Sequence, residues 1–169
     1  MVDGPRVSAK AGATVAADMT LLGNVSIGTG TVVHPLAIID GRDAPVVIGD
    51  NCIIEEMVTI KAHDDALVIG DGNMFEVGST IKATAIGNCN QFEARCSVAG
   101  ISVRNFCTVG AGCTASGADL PDRSVVYGRE SLRREWSGHG VTQQLALQAK
   151  HLEYLRDMLP AAHKLRVFY

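Results

Sequence analysis

His63 is followed at once by Asp64 and Asp65, and a carboxylate beside an imidazole can orient it as a general base. The other histidines of this 169-residue chain are His34, His139, His151 and His163. His34 stands before Pro35, where a turn residue is the simpler reading. No two histidines are spaced to share a zinc ion, so a three-ligand zinc site is not expected. The five cysteines, Cys52, Cys89, Cys96, Cys107 and Cys113, contain no CxxC pair. An odd set without metal spacing argues for reduced thiols rather than a disulfide framework.

Positioning these groups falls to a repeat. Aliphatic residues recur every sixth position at Val15, Leu21, Ile27, Val33 and Ile39, and the series resumes from Ile48 to Val109. Four units open with Ile-Gly, at Ile27, Ile48, Ile69 and Ile86. A step of six does not fit a helical turn, but it returns a strand side chain to the same face. The position four after each aliphatic residue is mostly small, with Cys52, Cys96, Cys107 and Cys113 among its occupants. Those thiols read as compact hydrophobes, with Cys89 nearer a turn. Three units make one triangular coil, and coils stack as a parallel β-solenoid. The pattern breaks at Gly41–Pro45 and at Ala62–Asp65, which read as loops thrown out from corners.

The spacing predicts three alignments along the stack. Phe75 and Phe92 share one position, as do Asn73 and Asn90, whose amides can pass hydrogen bonds between coils. Glu55, Glu76 and Glu93 fall on one corner roughly 4.8 Å apart, where like charges repel unless they splay into water or meet a cation. Lys61 and Lys82 make a second column. Taken as binding features, Glu55, Glu76, Glu93, Lys61 and Lys82 are the candidate contacts of a partner protein.

Residues 1–128 read as the solenoid, 129–141 as a polar connector, and 142–169 as a helix and tail. Thr142 is the expected N-cap and Pro160 the expected stop, with Leu145, Ala149, Leu152, Leu155 and Leu159 on one face. A lone helix of that length must pack against something, and the solenoid flank is nearest. The solenoid's N-terminal end near Val7 shows no cap and reads as a joint for another chain. Fifteen basic residues against eighteen acidic ones leave a net charge of −3, which argues against nucleic-acid binding. Met1–Gly12 contains no secretory apolar run, and no stretch is long and apolar enough to insert in a membrane.

The units resemble the hexapeptide repeat of the left-handed parallel β-helix superfamily, and the left hand is implied by that resemblance alone. Enzymes of that superfamily are mostly acyltransferases with one histidine base, often trimeric, so an acyltransferase using His63 is the alternative it implies. A solvated loop is the favoured reading of His63. Three stretches, Ile48–Glu56, Asn73–Gly78 and Ser124–Arg134, together with Leu147–Leu159 and His163-Lys164, resemble the dynactin subunit 6 family. That resemblance implies a non-catalytic adaptor of the dynactin pointed-end complex, with no cofactor. Its implied partners are dynactin subunit 5, subunit 4 and an actin-related protein, and through them dynein and membrane cargo. The implied location is cytoplasmic and cytoskeletal.

Overall fold

A side chain that must face inward every six residues forces the backbone to turn a corner after each short strand, and the strands then stack in parallel. The computed structural model describes residues 6–169. The first five residues, which belong to the expected solenoid segment and to the Met1–Gly12 stretch, lie outside the described residues.

Face one is the parallel stack Thr14–Val15, Val32–Val33, Ile53–Ile54, Met74–Phe75, Gln91–Phe92, Thr108–Val109 and Ser124–Tyr127. Face two rises through Thr59–Lys61, Thr80–Lys82, Ser97–Ala99 and Thr114–Ser116. Face three rises through Leu67–Ile69, Ala85–Ile86 and Ser102–Val103. The strands Thr20–Ile27 and Ile38–Ile48 run across the corner between faces two and three, joining those faces in one sheet. Each face sends apolar side chains into the bore, on face one from Val15 and Val33 through Ile54, Phe75 and Phe92 to Val109 and Val126, beside Ile60 and Ile81 from face two and Ile69 and Ile86 from face three. Phe75 and Phe92 stack as the repeat predicts, with ring centroids 4.8 Å apart and planes 2° from parallel. That separation matches the spacing of adjacent strands, so the ladder sets the ring geometry.

The Gly41–Pro45 segment is not the expected loop. It continues the strand Ile38–Ile48, and its pairing with Thr20–Ile27 absorbs the extra residues in a register shift between Gly23 and Val25. The two backbones pass so closely there that a Cβ on Gly23, which has φ +69°, would collide with Gly41.

Two further expectations change at the C-terminal side. The connector contains a strand, Leu132–Glu135, that pairs antiparallel with Ser124–Tyr127 and closes face one from above. The helix α1 spans Val141–Ala162; its N-cap is Gly140 in the left-handed region, and Pro160 lies within it rather than ending it. Leu152, Leu155 and Leu159 pack on Val32, Ile53 and Met74, the outer side of face one. Gln148 replaces the expected Leu145 and Ala149 on the buried side. The N-terminal end of face one is not open either. α1 carries the chain back along the solenoid, and the tail pairs with the first rung through Ala17 N–H to Lys164 O (2.8 Å) and Arg166 N–H to Val15 O (2.8 Å). Among the described residues no helix is long and apolar enough to cross a membrane.

Candidate functional site at one corner

Every rung must turn three corners, and each turn leaves backbone N–H groups in need of acceptors. Between faces three and one, side-chain oxygens supply them: Asp50 accepts from Thr29 N–H, Asp71 from Asp50, Asn88 from Asp71, Asn105 from Asn88 and Asp122 from Asn105. This ladder explains the Ile-Gly-Asp/Asn units, because a Cβ on Gly49 would collide with the Asp71 carboxylate of the next coil. Asn73 and Asn90 form the expected inner ladder beside it. Asn90 Nδ2 donates to Asn73 Oδ1 at 3.0 Å, and Cys107 N–H donates to Asn90 Oδ1 at 2.7 Å.

Between faces one and two stand Glu55, Glu76 and Glu93. Each carboxylate accepts an N–H from the coil above: Glu55 from Val77 at 3.0 Å, Glu76 from Ala94 at 3.0 Å and Glu93 from Ala111 at 2.9 Å. Burial pushes the Glu76 carboxyl above its usual range, and the flanking Glu55 and Glu93 charges add to that rise. The column thus satisfies the backbone with one oxygen of each side chain.

The third corner, between faces two and three, is built differently. Residues 62–66 span it in the coil that holds His63, whereas Ala83 and Thr84 alone span it one coil on. The longer loop overhangs the shorter turns and leaves a cavity of about 460 Å³. Its floor is Ala83, Thr84, Ala99 and Gly100, and its walls are Lys61, His63, Asp64, Asp65 and Lys82. Lys61 and Lys82 therefore lie away from the glutamate column and beside His63.

An ion network backs this wall. Arg42 grips Asp40 with Nε to Oδ1 at 2.9 Å and Nη2 to Oδ2 at 2.8 Å. The Arg42 hydrogen bonds hold the buried Asp40 carboxyl at about 2, against the opposing effect of its burial. Lys61 Nζ sits 2.9 Å from Asp43 Oδ2 and 3.9 Å from Asp40 Oδ2. Asp43 Oδ2 is in turn 4.0 Å from His63 Nδ1, and Asp64 Oδ1 is 3.7 Å from His63 Nε2. Both separations exceed hydrogen-bond distance, and the ring stays open to solvent. Asp40 and Asp43 were not read as site residues from the sequence. The signal for them was the recurrence of both pattern breaks at one corner, where Asp40 pairs in register with Lys61.

His34 is more than a turn residue. It is 9% exposed, its Nδ1 lies 2.9 Å from Glu56 Oε1, and its buried Nε2 has no hydrogen-bond partner among the described residues. It does not line the corner cavity, and a substrate cannot reach that nitrogen. The cysteines are all free. Burial pushes the Cys52 and Cys96 thiols up to about 12, which removes them as nucleophiles near neutrality.

This architecture is the left-handed parallel β-helix of hexapeptide repeats with a C-terminal helix, and solved structures share it. A hexapeptide transferase family protein from Anaplasma phagocytophilum superposes with a TM-score of 0.80 at 15% identity, over 90% of this chain and 93% of that one. A candidate acetyltransferase from Bacillus cereus gives 0.66 at 17% identity, over 92% and 94%. A UDP-N-acetylglucosamine acyltransferase from Bacteroides fragilis gives 0.53 at 15% identity, over 96% and 87%. No family model and no curated protein matches the chain.

These findings overturn the dynactin reading. The structural neighbours are bacterial transferases, so the dynactin subunit 6 assignment, the non-catalytic adaptor role and the absence of enzymatic activity are withdrawn. With them go the partners, namely dynactin subunit 5, subunit 4, the actin-related protein, dynein and membrane cargo, and the cytoskeletal location. The physical reason is visible in the stretches that carried the resemblance. Ile48–Glu56 and Asn73–Gly78 are the corner turns, ladders and inward side chains of successive coils. Any solenoid of this kind needs such residues, so they report the coil rather than a partner.

Proposed function

We propose that this protein transfers an acyl group from a thioester donor to a small amine or hydroxyl acceptor, with His63 as the general base. The observation that carries the reading is the corner cavity, which holds an accessible histidine between Asp43 and Asp64 on a wall braced by Lys61, Asp40 and Arg42. Acyl transfer needs only one such base. The imidazole takes the acceptor's proton as its oxygen or nitrogen bonds to the thioester carbon. The carbon–sulfur bond then breaks, and the departing thiolate receives a proton from the imidazolium. Fold-sharing proteins described as transferases support the class, at identities that speak for fold alone. In this reading residues 1–128 carry the site, while the connector 129–141 and the segment 142–169 brace the coil. Five unpaired cysteines suit a reducing cytoplasm.

The test is acyl transfer from acetyl-coenzyme A to a panel of small amines and alcohols, read by mass spectrometry, in wild type and His63→Asn. The expected result is a loss of about 10²–10⁴-fold in turnover with an unchanged melting temperature. Unchanged turnover in His63→Asn, or no acylated product from wild type with any acceptor, would overturn the reading.

A further inference from the structure

The cavity's charges are unevenly spent. Lys61 is neutralised by Asp43 and Asp40, and Asp64 is drawn toward His63. Lys82 occupies the position of Lys61 one coil on, as the pairing of Ile60 with Ile81 requires, but the short turn Ala83–Thr84 brings it no aspartate. Among the described residues the Lys82 ammonium and the Asp65 carboxylate have no ion pair and no hydrogen bond, although both line this cavity. Two opposite charges that face one space without pairing across it are a mould for a ligand carrying both signs.

We propose that the acyl acceptor is a small zwitterionic amine, its carboxylate or other anionic group taken by Lys82 and its ammonium by Asp65 with Asp64. The proposal rests on the acyl-transfer reading of His63 for its chemistry and on the cavity alone for its ligand. A volume of about 460 Å³ suits a molecule of that size, and small-molecule sites run from roughly 300 to 1,000 Å³. The aspartates would bring the ammonium beside His63, which removes one proton and passes it to water. The free amine then attacks the thioester carbon, a carbon–nitrogen bond forms as the carbon–sulfur bond breaks, and the second nitrogen proton ends on the leaving thiolate. Products are the amide, the thiol and one released proton. A neutral alcohol would leave both charged groups unmatched, and a simple amine would leave Lys82 unmatched.

Three matched acceptors test this: β-alanine, which has both charges; propylamine, which lacks the anion; and 3-hydroxypropanoate, which lacks the amine. With acetyl-coenzyme A as donor and the full chain as enzyme, kcat/KM for β-alanine is expected to exceed each of the others by about tenfold or more, the effect of one good charge contact. Lys82→Ala should erase the advantage of β-alanine over propylamine. Asp64→Asn with Asp65→Asn should raise KM for both amines. These side chains are exposed, so folding is not at stake, and thermal melts check that. Equal kcat/KM for the three acceptors, or an advantage for β-alanine that survives Lys82→Ala, would refute the proposal. Saturation-transfer NMR of β-alanine on the His63→Asn protein separates the two ideas. Lys82-dependent binding without any acyl transfer by wild type keeps this site and removes the acyltransferase reading. His63-dependent acylation of 3-hydroxypropanoate, with β-alanine neither bound nor acylated, does the reverse.

Discussion

Two corners of the same coil use acidic side chains in opposite ways. Where faces one and two meet, Glu55, Glu76 and Glu93 give an oxygen each to the backbone one coil above. Where faces two and three meet, Asp40, Asp43, Asp64 and Asp65 serve one another's counter-ions, a histidine and a cavity. The first corner repeats the same contact through three successive coils; the second is broken by a long loop above short turns. Here the regular glutamate column is spent on the backbone, and the cavity opens where coil lengths change.

The largest effect should come from a ladder position. Asn90→Ala removes the acceptor of the buried Cys107 N–H and a donor to the part-buried Arg104 O, two bonds of 2.7 Å each. Orphaning both groups should cost about 2–4 kcal/mol by urea unfolding, with the acyl transfer proposed for His63 unaltered in the folded protein. A cost below about 0.5 kcal/mol would erase the distinction between ladder and cavity.

Acid titration should tell the two corners apart by sign. Asp40 is held at about 2 against an ordinary 3.8, so the native state resists its protonation. Its contribution is complete above pH 4 and is lost as pH falls from about 4 toward 2. Asp40→Asn should therefore flatten the acid limb of stability against pH. Glu76 is shifted upward from 4.5, so the native state binds its proton more readily than the unfolded chain does. Its ionisation weakens the fold as pH rises past the ordinary glutamate range, and Glu76→Gln should relieve that loss while keeping an acceptor for Ala94 N–H. The same sign for both variants would contradict the assignment of the two corners.

The smallest effect is a gain. Met57 turns the glutamate corner with φ +58° and an exposed side chain, a conformation that costs a residue with a Cβ. Met57→Gly should stabilise by up to about 1 kcal/mol, and the melting temperature should rise. A fall would mean that the Met57 side chain contributes packing absent from this single chain.

Much of the solenoid was legible in the sequence because each coil repeats one local instruction. The six-residue step placed Phe75 on Phe92 and Asn73 on Asn90, and the cysteines at the small inward positions are buried as read. The glutamate alignment could be read too, but the N–H groups that donate to it could not, since they belong to residues 18 or 22 positions away. The helix position was approximate because Thr142 and Pro160 were weighed by local propensity, whereas leucine packing on Val32 and Ile53 decides how far α1 runs. His63 was singled out with its two aspartates, yet the orienting Asp43 was not. That residue reaches the site because an expected loop is a strand crossing a corner.

Periodicity by itself determined the coil and its inward side chains, because an even step along a strand dictates a face without reference to the rest of the molecule. Function did not follow from the repeat, and two of the stretches that suggested a dynactin subunit, Ile48–Glu56 and Asn73–Gly78, are the coil's own turns and ladders. Only the tertiary structure decided which polar groups are already spent on the backbone and which remain unpaired. That distinction depends on the length of one coil relative to the next, and it leaves Lys82 and Asp65 facing the same space beside His63.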